Sequence, residues 1–336
     1  MSTELIQRYE LGELIGVGTV GTIYRATDRE TGEVVALKKL NQQAAANRLI
    51  RERFRRETSI LQRLRHPNII AYKDSGSRDS ILYYSMELVD GGTVKTLLEL
   101  GGALPWPAVA DLAVQLCSAL QCAHNNGVIH RDLKPGNLFL TSQGQLKLGD
   151  FGIARDLTLH DLSEKGQTVG THAYMAPEQI RGEQSLSDKA DLYALGCCLF
   201  EMLTCRKPFI AATTKDLYEQ HFKTTPRRVR ELVPSCPVEL DDLVAQLLSK
   251  SPEDRPFNAR QVQARLLQSF GSKDGDSKLT DADEATDWLQ RGHALLIDRI
   301  RNRHLGAPQA GVSWWRLLAL AVIVVAVATA AFALKP

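Results

Sequence analysis

An acid, a lysine and an amide lie within six residues of one another in the stretch from His130 to Asn137. Asp132 can accept a proton, Lys134 can neutralise phosphate charge, and the carbonyl oxygen of Asn137 can bind Mg²⁺. A polar turn after a helix is the simpler interpretation of such a stretch. The sequence Asp-Phe-Gly at 150–152, which follows after a short strand–turn–strand pattern, favours a catalytic loop with a nearby metal loop.

A glycine-rich stretch lies near the start of the chain, where residues 9–40 alternate in the manner of strands. Glycines let backbone N–H groups approach phosphates, because no Cβ is in the way. The spacing also fits a dinucleotide-binding turn, which should lead into a helix. Here the chain continues as a strand from Ile23 to Thr27, so a β-hairpin is favoured. The candidate phosphate-binding residues are Gly16, Val17, Gly18 and Gly21.

Taken together and in this order, these motifs resemble the protein kinase family over about residues 9–268. The resemblance implies an α+β, bilobal protein kinase fold, with the kinase domain over residues 9–270. Residues 9–90 would form a small antiparallel β lobe with one helix, and residues 91–270 a large helical lobe. The stretch Asp150–Arg155 resembles in particular the bacterial Ser/Thr kinases of the eukaryotic, or Hanks, type.

The resemblance implies MgATP, with Mn²⁺ as an alternative metal, and gives each candidate residue a role. Lys38, in Val-Ala-Leu-Lys at 35–38, would bind the α- and β-phosphates and pair with Glu57 of a helix predicted over 51–65. Glu52 is the competing partner for Lys38. Asn137 and Asp150 would hold the metal.

The same resemblance places the reacting groups and the adenine. Asp132 would orient and deprotonate the acceptor hydroxyl, and Lys134 would stabilise charge on the transferred phosphoryl group. The adenine would lie between the lobes, with Met86 at the gatekeeper position. Its expected neighbours are Ile23, Ala36, Met86, the backbone of Glu87 and Val89, and Phe139.

Residues 156–170 are polar and without a clear period, and they resemble an activation segment that ends in Ala-Pro-Glu at 176–178. Phosphorylation is expected at Thr168, with Thr171 and Ser163 as alternatives, and Arg131 could pair with the phosphate. Lys134 and Gly-Thr at 170–171 favour Ser/Thr over Tyr acceptors. By resemblance, Asp191 should hold the catalytic loop from beneath, and Arg255 should pair with Glu178.

Two other classes of function stay open. A pseudokinase scaffold would use the fold for binding alone, but such proteins usually lose the lysine, the catalytic aspartate or the metal aspartate. A small-molecule kinase shares part of the chemistry but generally lacks the Ala-Pro-Glu segment and the Thr171 loop that build a peptide platform. Protein substrates with Ser or Thr acceptors are therefore the expected partners.

Length and composition narrow the classes further. A chain of 336 residues exceeds the usual size of a single core, so two lobes or domains are expected. The net charge of +2 argues against nucleic acid as the principal partner. The six cysteines never form a CxxC pair and lie mostly in apolar helical runs, which predicts buried, reduced thiols.

The C-terminal part differs in composition from the rest. Residues 271–287 are rich in Gly, Ser, Asp and Lys and are expected to form an acidic, flexible linker. Residues 288–316 are expected to form a partly helical juxtamembrane segment, with helical spacing through Leu289, Leu295, Leu296 and Ile300. A helix lying on anionic lipid, a solvated helix and a contact with a second copy in a homodimer all fit this spacing.

Residues 317–334 are 18 consecutive residues without a charge, enough for a transmembrane helix of about 27 Å. Trp314 and Trp315 precede them as an interfacial anchor, and a buried core helix is the alternative. The arginines between Arg299 and Arg316 predict that the kinase domain is on the cytoplasmic side of a cell membrane, which the chain would cross once.

Overall fold

The computed structural model describes residues 5–6, 8–18, 21–78, 81–151, 172–183, 185–271 and 281–302. A sheet of six strands forms the small lobe: β1 (Leu5–Ile6), β2 (Tyr9–Val17), β3 (Gly21–Asp28), β4 (Val34–Leu40), β5 (Tyr72–Arg78) and β6 (Ile81–Glu87). The strands pair antiparallel in the order β1-β2-β3-β4-β6-β5. The register puts Ile23 opposite Lys38 and Lys38 opposite Tyr84.

Two helices connect β4 to β5, the short α1 (Gln42–Ala46) and the long α2 (Arg48–Arg63). Helix α2 begins three residues earlier than the predicted position 51, because the side chain of Asn47 caps its first turn by accepting from the N–H groups of Leu49 and Ile50. Phe54 and Leu61 are buried on the inner, apolar face of the helix.

The large lobe is helical. Its helices are α3 (Val94–Gly101), α4 (Trp106–Asn125), α5 (Pro177–Ile180), α6 (Lys189–Thr204), α7 (Thr214–Lys223), α8 (Val229–Leu232), α9 (Val238–Leu247) and α10 (Ala259–Gly271). A hairpin of β7 (Leu138–Leu140) and β8 (Leu146–Leu148) lies beside the catalytic loop. The predicted α+β arrangement of a small antiparallel β lobe with one long helix and a large helical lobe is confirmed.

Two helices form the centre of the large lobe. Every residue of α6 from Ala190 to Phe200 is buried, so α6 is the core of this lobe. The inward-facing residues of α4 include Leu112, Leu116, Ala119, Leu120 and Ala123, all of which are fully buried. Helix α4 ends beside Gly127, whose φ of 68° suits glycine, and delivers the chain to the catalytic loop.

The cysteines differ from the prediction at one position. All six thiols are free, four are buried and Cys122 is half-buried, but Cys205 is exposed. Cys205 lies outside the core because it caps the C-terminus of α6 in the left-handed conformation, with φ 55°.

The C-terminal helix corrects the expectation for residues 271–301. Helix α11 (Asp281–Arg301) begins inside the predicted linker and packs on the large lobe, mainly against α4 and also against α10. Its buried side chains include Trp288, Leu296 and Ile300, whereas Leu295 is exposed. The apolar face of α11 from Trp288 to Ile300 is therefore covered by the large lobe, a partner that differs from the lipid, the solvent and the second copy left open by the sequence.

Several predictions concern residues outside the described ranges. The transmembrane segment 317–334, Gly152 and the candidate phosphosites Ser163, Thr168 and Thr171 all lie there. Within the described ranges, none of the helices combines the length and the apolar character needed to cross a membrane.

Candidate active site

The ammonium group of Lys38 lies where the two lobes meet. Its Nζ is 3.1 Å from Oε1 of Glu57 in α2 and 3.5 Å from Oδ1 of Asp150 in the large lobe. Burial disfavours the charged form, but Tyr84, Glu57 and Asp150 outweigh it, and the pKa of Lys38 lies well above its usual value. Lys38 therefore stays charged and can bind a phosphate.

Helix α2 turns its two candidate glutamates to different surroundings. Glu57 lies under the sheet beside Lys38, and its side chain is 15% exposed. Glu52 pairs with Arg48 at 2.8 Å on the outer face, where the two side chains are 55% and 83% exposed. Of the two partners considered for Lys38, the structure brings Glu57 to it.

Tyr84 was not among the predicted site residues, yet its hydroxyl donates to Oε1 of Glu57 at 2.8 Å. Burial, together with the charge of Glu57, raises the pKa of Tyr84 well above its usual value, so the phenol keeps its proton. Tyr84 lies two residues before Met86 in β6, and side chains two apart share a face of a strand. This alternation along β6 could have identified Tyr84 as a site residue from the sequence.

The carboxylate of Asp132 is held by the two polar residues that follow it. Lys134 Nζ donates to Oδ2 at 2.7 Å, and Asn137 Nδ2 donates to the same oxygen at 3.2 Å and to the carbonyl of Asp132 at 2.7 Å. One turn of 3₁₀ helix over Pro135–Asn137 folds Asn137 back to this position. The acid thus has a fixed orientation, which a general base requires.

The loop around Asp132 is anchored from below by Asp191, the third residue of α6. Its carboxylate accepts from the backbone N–H of His130 at 2.8 Å, from that of Arg131 at 2.9 Å, and from Nε2 of His124 at 2.8 Å. Burial opposes ionisation of Asp191, but these bonds outweigh it and lower its pKa. The bond from His124 was missed, because no local pattern joins α4 to α6.

His130 connects the catalytic loop to the metal loop. Its Nε2 is 3.0 Å from the carbonyl oxygen of Gly149, and its Nδ1 is 3.3 Å from the N–H of Asp132. A neutral ring that donates from Nε2 and accepts at Nδ1 satisfies both contacts. The ring also packs against Phe151, with the centroids 4.8 Å apart.

Asn137 and Asp150 fit a divalent metal that arrives with its substrate. The N–H of Gly149 donates to the carbonyl of Asn137 at 3.1 Å, so the two loops are adjacent, and Asp150 turns its side chain with a φ of 49°. Among the described residues, no three His, Cys, Asp or Glu side chains cluster so as to hold an ion. One carboxylate and one amide oxygen suit Mg²⁺ when phosphates supply further ligands.

An apolar cleft between the lobes collects the side chains predicted around adenine, namely Ile23, Ala36, Met86, Val89 and Phe139. Ile15, Leu61, Ile70, Tyr84, Leu88 and Gly149 also line it and were not predicted there, and Asp150 borders it as well. Glu87 also borders the cleft, but its N–H donates to the carbonyl of Ala71 and its carboxylate pairs with Lys147 at 2.7 Å. The backbone N–H of Glu87 is therefore already bonded within the small lobe.

The glycine-rich hairpin follows Ile15 at the edge of this cleft. Gly16 and Val17 end β2, and the N–H of Gly18 donates to the carbonyl of Gly21 at 2.9 Å. A Cβ at Gly21 would lie 2.2 Å from the carbonyl oxygen of Lys39, so this position admits only glycine. Residues 19–20, at the tip, lie outside the described ranges.

A platform lies on the large lobe beside the catalytic loop. Arg255 binds Glu178 through two bonds of 2.6 and 2.9 Å in a fully buried pair. The neighbouring Gln179 donates to the carbonyl of Arg131 at 3.1 Å and so fixes the platform to the loop. A cavity of about 700 Å³ opens next to Lys134; its lining includes Lys95, Glu99, Tyr174, Glu201 and Lys207, none of which was predicted.

Comparison with known proteins agrees with this geometry. The family model described as "Protein kinase domain" matches residues 9–266. The serine/threonine-protein kinase PknB of Mycobacterium leprae is 34% identical over 288 residues, which are 84% of this chain and 46% of that protein. A probable serine/threonine-protein kinase of Streptomyces coelicolor is 36% identical over 265 residues, 77% of this chain and 39% of that protein. The chain thus spans less than half the length of these two relatives.

A solved structure is similar as well. The crystal structure of Rad53 1-466 in complex with AMP-PNP superposes with a TM-score of 0.64 at 27% identity, covering 77% of this chain and 65% of that one. The likeness extends over both lobes of the fold described above, since the matched share exceeds either lobe alone.

Proposed function

This chain belongs to the protein kinase family, and from that premise we propose that it transfers the γ-phosphate of ATP to Ser and Thr hydroxyls of proteins. One observation carries the proposal: Lys38 contacts Glu57 of the small lobe and Asp150 of the large lobe at the same time. An ammonium held between a helix and the metal loop binds phosphates where both lobes can act on them.

The residues divide the work of the reaction. Lys38 and the glycine-rich hairpin hold the phosphates, and Asn137 with Asp150 holds Mg²⁺, which neutralises phosphate charge when it is bound. Asp132 accepts the proton of the acceptor hydroxyl as that oxygen attacks. Lys134, 2.7 Å from Asp132, stabilises the charge on the phosphoryl group in transit.

Protein acceptors are favoured over metabolites by the platform on the large lobe. The Glu178–Arg255 pair fixes the segment after residue 172, and the cavity beside Lys134 is open to a chain that extends past the acceptor. A scaffold without activity is disfavoured, because Lys38, Asp132 and Asp150 are all present and in contact with the partners that their roles require.

The test is an incubation of the full chain with Mg²⁺, γ-labelled ATP and a mixture of protein and metabolite acceptors, with Asp132→Asn alongside. We expect label on Ser and Thr of proteins, and its loss in the variant. Label on a metabolite alone would support the small-molecule class. Nucleotide binding without any label would support the scaffold.

We further propose that phosphorylation of the activation segment, at Thr168, Thr171 or Ser163, raises the activity. The support is Arg131, which directly precedes Asp132 in the catalytic loop and whose guanidinium group can pair with a phosphate on this segment. Phosphosite mapping of active enzyme at several concentrations tests this and shows whether one copy phosphorylates another.

A membrane anchor at residues 317–334 is the last part of the proposed function. Its support is the uncharged run, the Trp pair before it and the arginines on the same side. On this proposal the kinase domain lies at the cytoplasmic face of a cell membrane. Carbonate extraction of membranes from cells that express the full chain, compared with a chain ending at Asn302, tests it: release of both chains into the soluble fraction would contradict the anchor.

A further inference from the structure

Helix α11 docks on the large lobe through a stripe that repeats every four residues. Trp288, Gly292, Leu296 and Ile300 are all buried, and Leu296 and Ile300 belong to the same hydrophobic core as α4 and α6. Residues four apart lie on one face of a helix, so this stripe is the docking face. Leu295, next to Leu296 in the chain, is 39% exposed and points away from the lobe.

Gly292 determines how closely the helices approach. A Cβ at this position would lie 2.3 Å from the carbonyl oxygen of Pro107 in the first turn of α4. The next residue, His293, places Nδ1 3.2 Å from Oδ2 of the buried Asp111 of α4. The contact is therefore specific in shape and includes a polar pair.

The same helix reaches two segments that flank the connection between the lobes. A Cβ at Gly144, in the turn between β7 and β8, would lie 3.1 Å from the ring of His293 and 3.1 Å from the side chain of Ile297. A Cβ at Gly101, the last residue of α3, would lie 2.5 Å from the guanidinium of Arg299. Helix α11 thus leaves neither segment room to move toward it.

The turn that α11 supports is bonded to the interlobe connection. The N–H of Ser142 donates to Oδ1 of Asp90 at 2.7 Å. In β7, the carbonyl of Leu140 accepts from Gly91 at 2.7 Å, and the N–H of Leu140 donates to Gly92 at 2.9 Å. The neighbour of Leu140 in β7 is Phe139, which lines the apolar cleft.

We propose that α11 is a positioning element of the nucleotide site. Docked on α4, it holds the turn at 141–144, and through β7 it holds Asp90–Gly92 and Phe139 in the arrangement that receives adenine. Release of α11 weakens nucleotide binding while the groups around Asp132 keep their geometry. The change in KM that this inference predicts rests on the proposed kinase function, whereas the predicted change in nucleotide affinity does not.

The experiment compares Leu296→Asp with Leu295→Asp in the full chain. The two variants place the same charge one residue apart, on the buried and the exposed face of α11. For Leu296→Asp we expect KM for ATP and the dissociation constant of a non-hydrolysable ATP analogue to rise about two- to thirtyfold, with kcat little changed. Amide exchange at residues 141–146 should accelerate. Leu295→Asp should match the native chain in KM for ATP, in the dissociation constant of the analogue and in amide exchange.

A second variant covers the case in which Leu296→Asp does not fold. Gly292→Ala increases the helix propensity of α11 but puts a methyl group against the carbonyl oxygen of Pro107. An effect on the helix alone would therefore stabilise α11, whereas an effect on its docking would weaken the contact with α4. We expect weaker binding of the analogue and faster exchange at 141–146.

Two results would overturn the proposal. In one, α11 exchanges freely in the native chain. In the other, either variant releases α11 while exchange at 141–146 and nucleotide affinity stay native. Absence of kinase activity in the native chain would count against the proposed function alone, since exchange and analogue binding are measured without turnover.

Discussion

The hydroxyl of Tyr84 lies 2.8 Å from Oε1 of Glu57, the carboxylate oxygen that also contacts Lys38. One oxygen of Glu57 therefore receives a neutral donor and a charged donor. The phenol orients the glutamate that in turn orients the lysine, which makes Tyr84 a positioning residue.

Tyr84→Phe is expected to lower kcat/KM about tenfold, because loss of one hydrogen bond to a charged group costs about 1.4 kcal/mol or more. Steady-state kinetics measure the effect. Tyr72→Phe is the matched control: its hydroxyl also bonds within the small lobe, to Gln62 and Ser75, but does not contact Glu57. Equal losses in the two variants would assign the effect to general loosening of the lobe.

Asp132→Asn should lower kcat by about 10²- to 10⁴-fold, since an amide cannot accept the hydroxyl proton. The folded state should persist, because an amide oxygen can still accept the bond from Lys134. Single-turnover kinetics and a thermal melt measured on the same preparation separate the two effects. A large fall in melting temperature would show that the carboxylate has a structural role as well.

Arg255→Ala should lower the free energy of unfolding by about 3 to 5 kcal/mol, because it leaves the carboxylate of Glu178 buried without its cation. Denaturant titration measures this change. Arg48→Ala, which removes the exposed partner of Glu52, serves as the control and should change little. A small effect of Arg255→Ala would mean that water or another cation reaches Glu178.

Acidification should destabilise the large lobe through His221. Its ring is fully buried, with Nδ1 2.9 Å from the Tyr193 hydroxyl, and burial together with the charges of Lys250 and His172 lowers its pKa to about 3. The unfolded chain takes up this proton near pH 6.5, so stability is complete above that pH and falls as the pH drops toward 3.

The check on this prediction is the pH dependence of unfolding for the native chain and for His221→Gln. Between pH 6 and 4 the native chain should lose up to about 1.4 kcal/mol per pH unit more than the variant, the limit for one proton. Parallel curves would show that His221 does not carry the acid sensitivity.

A chain that ends at Gly271 should be less stable than one that ends at Asn302. The shorter chain uncovers the face of α4 on which Trp288, Leu296 and Ile300 are buried, and each such side chain contributes about 1.5 to 3 kcal/mol. Thermal melts of the two chains measure the difference. Equal melting temperatures would show that α11 adds no stability to the lobe.

Much of the site was predictable because its reacting side chains lie in short sequence motifs. The residues from Asp132 to Asn137 contact one another through local backbone geometry, and the alternation of β4 and β6 carries Lys38, Met86 and Tyr84 to one cleft. Helix α2 likewise followed from its periodicity, with its start shifted by the cap at Asn47.

The rest depends on partners distant in sequence. The bond from His124 to Asp191 joins two residues that are 67 positions apart in different helices, and no spacing rule indicates it. For α11, an apolar stripe fits lipid, a second copy or the large lobe equally well. What decides is the shape of the partner: Gly292 fits against Pro107 because it has no Cβ, which would lie 2.3 Å from the carbonyl oxygen of Pro107.

The anchoring of the catalytic loop by Asp191 also has a consequence for synthesis. Asp191 lies 61 residues after His130, so the loop is made well before the acceptor for its backbone N–H groups. Because α6 supplies the carboxylate that holds these N–H groups, the loop around Asp132 is expected to take its final shape only after α6 has been made. We therefore expect the nascent enzyme to be silent on the ribosome until late in translation, which protects its neighbours from premature phosphorylation.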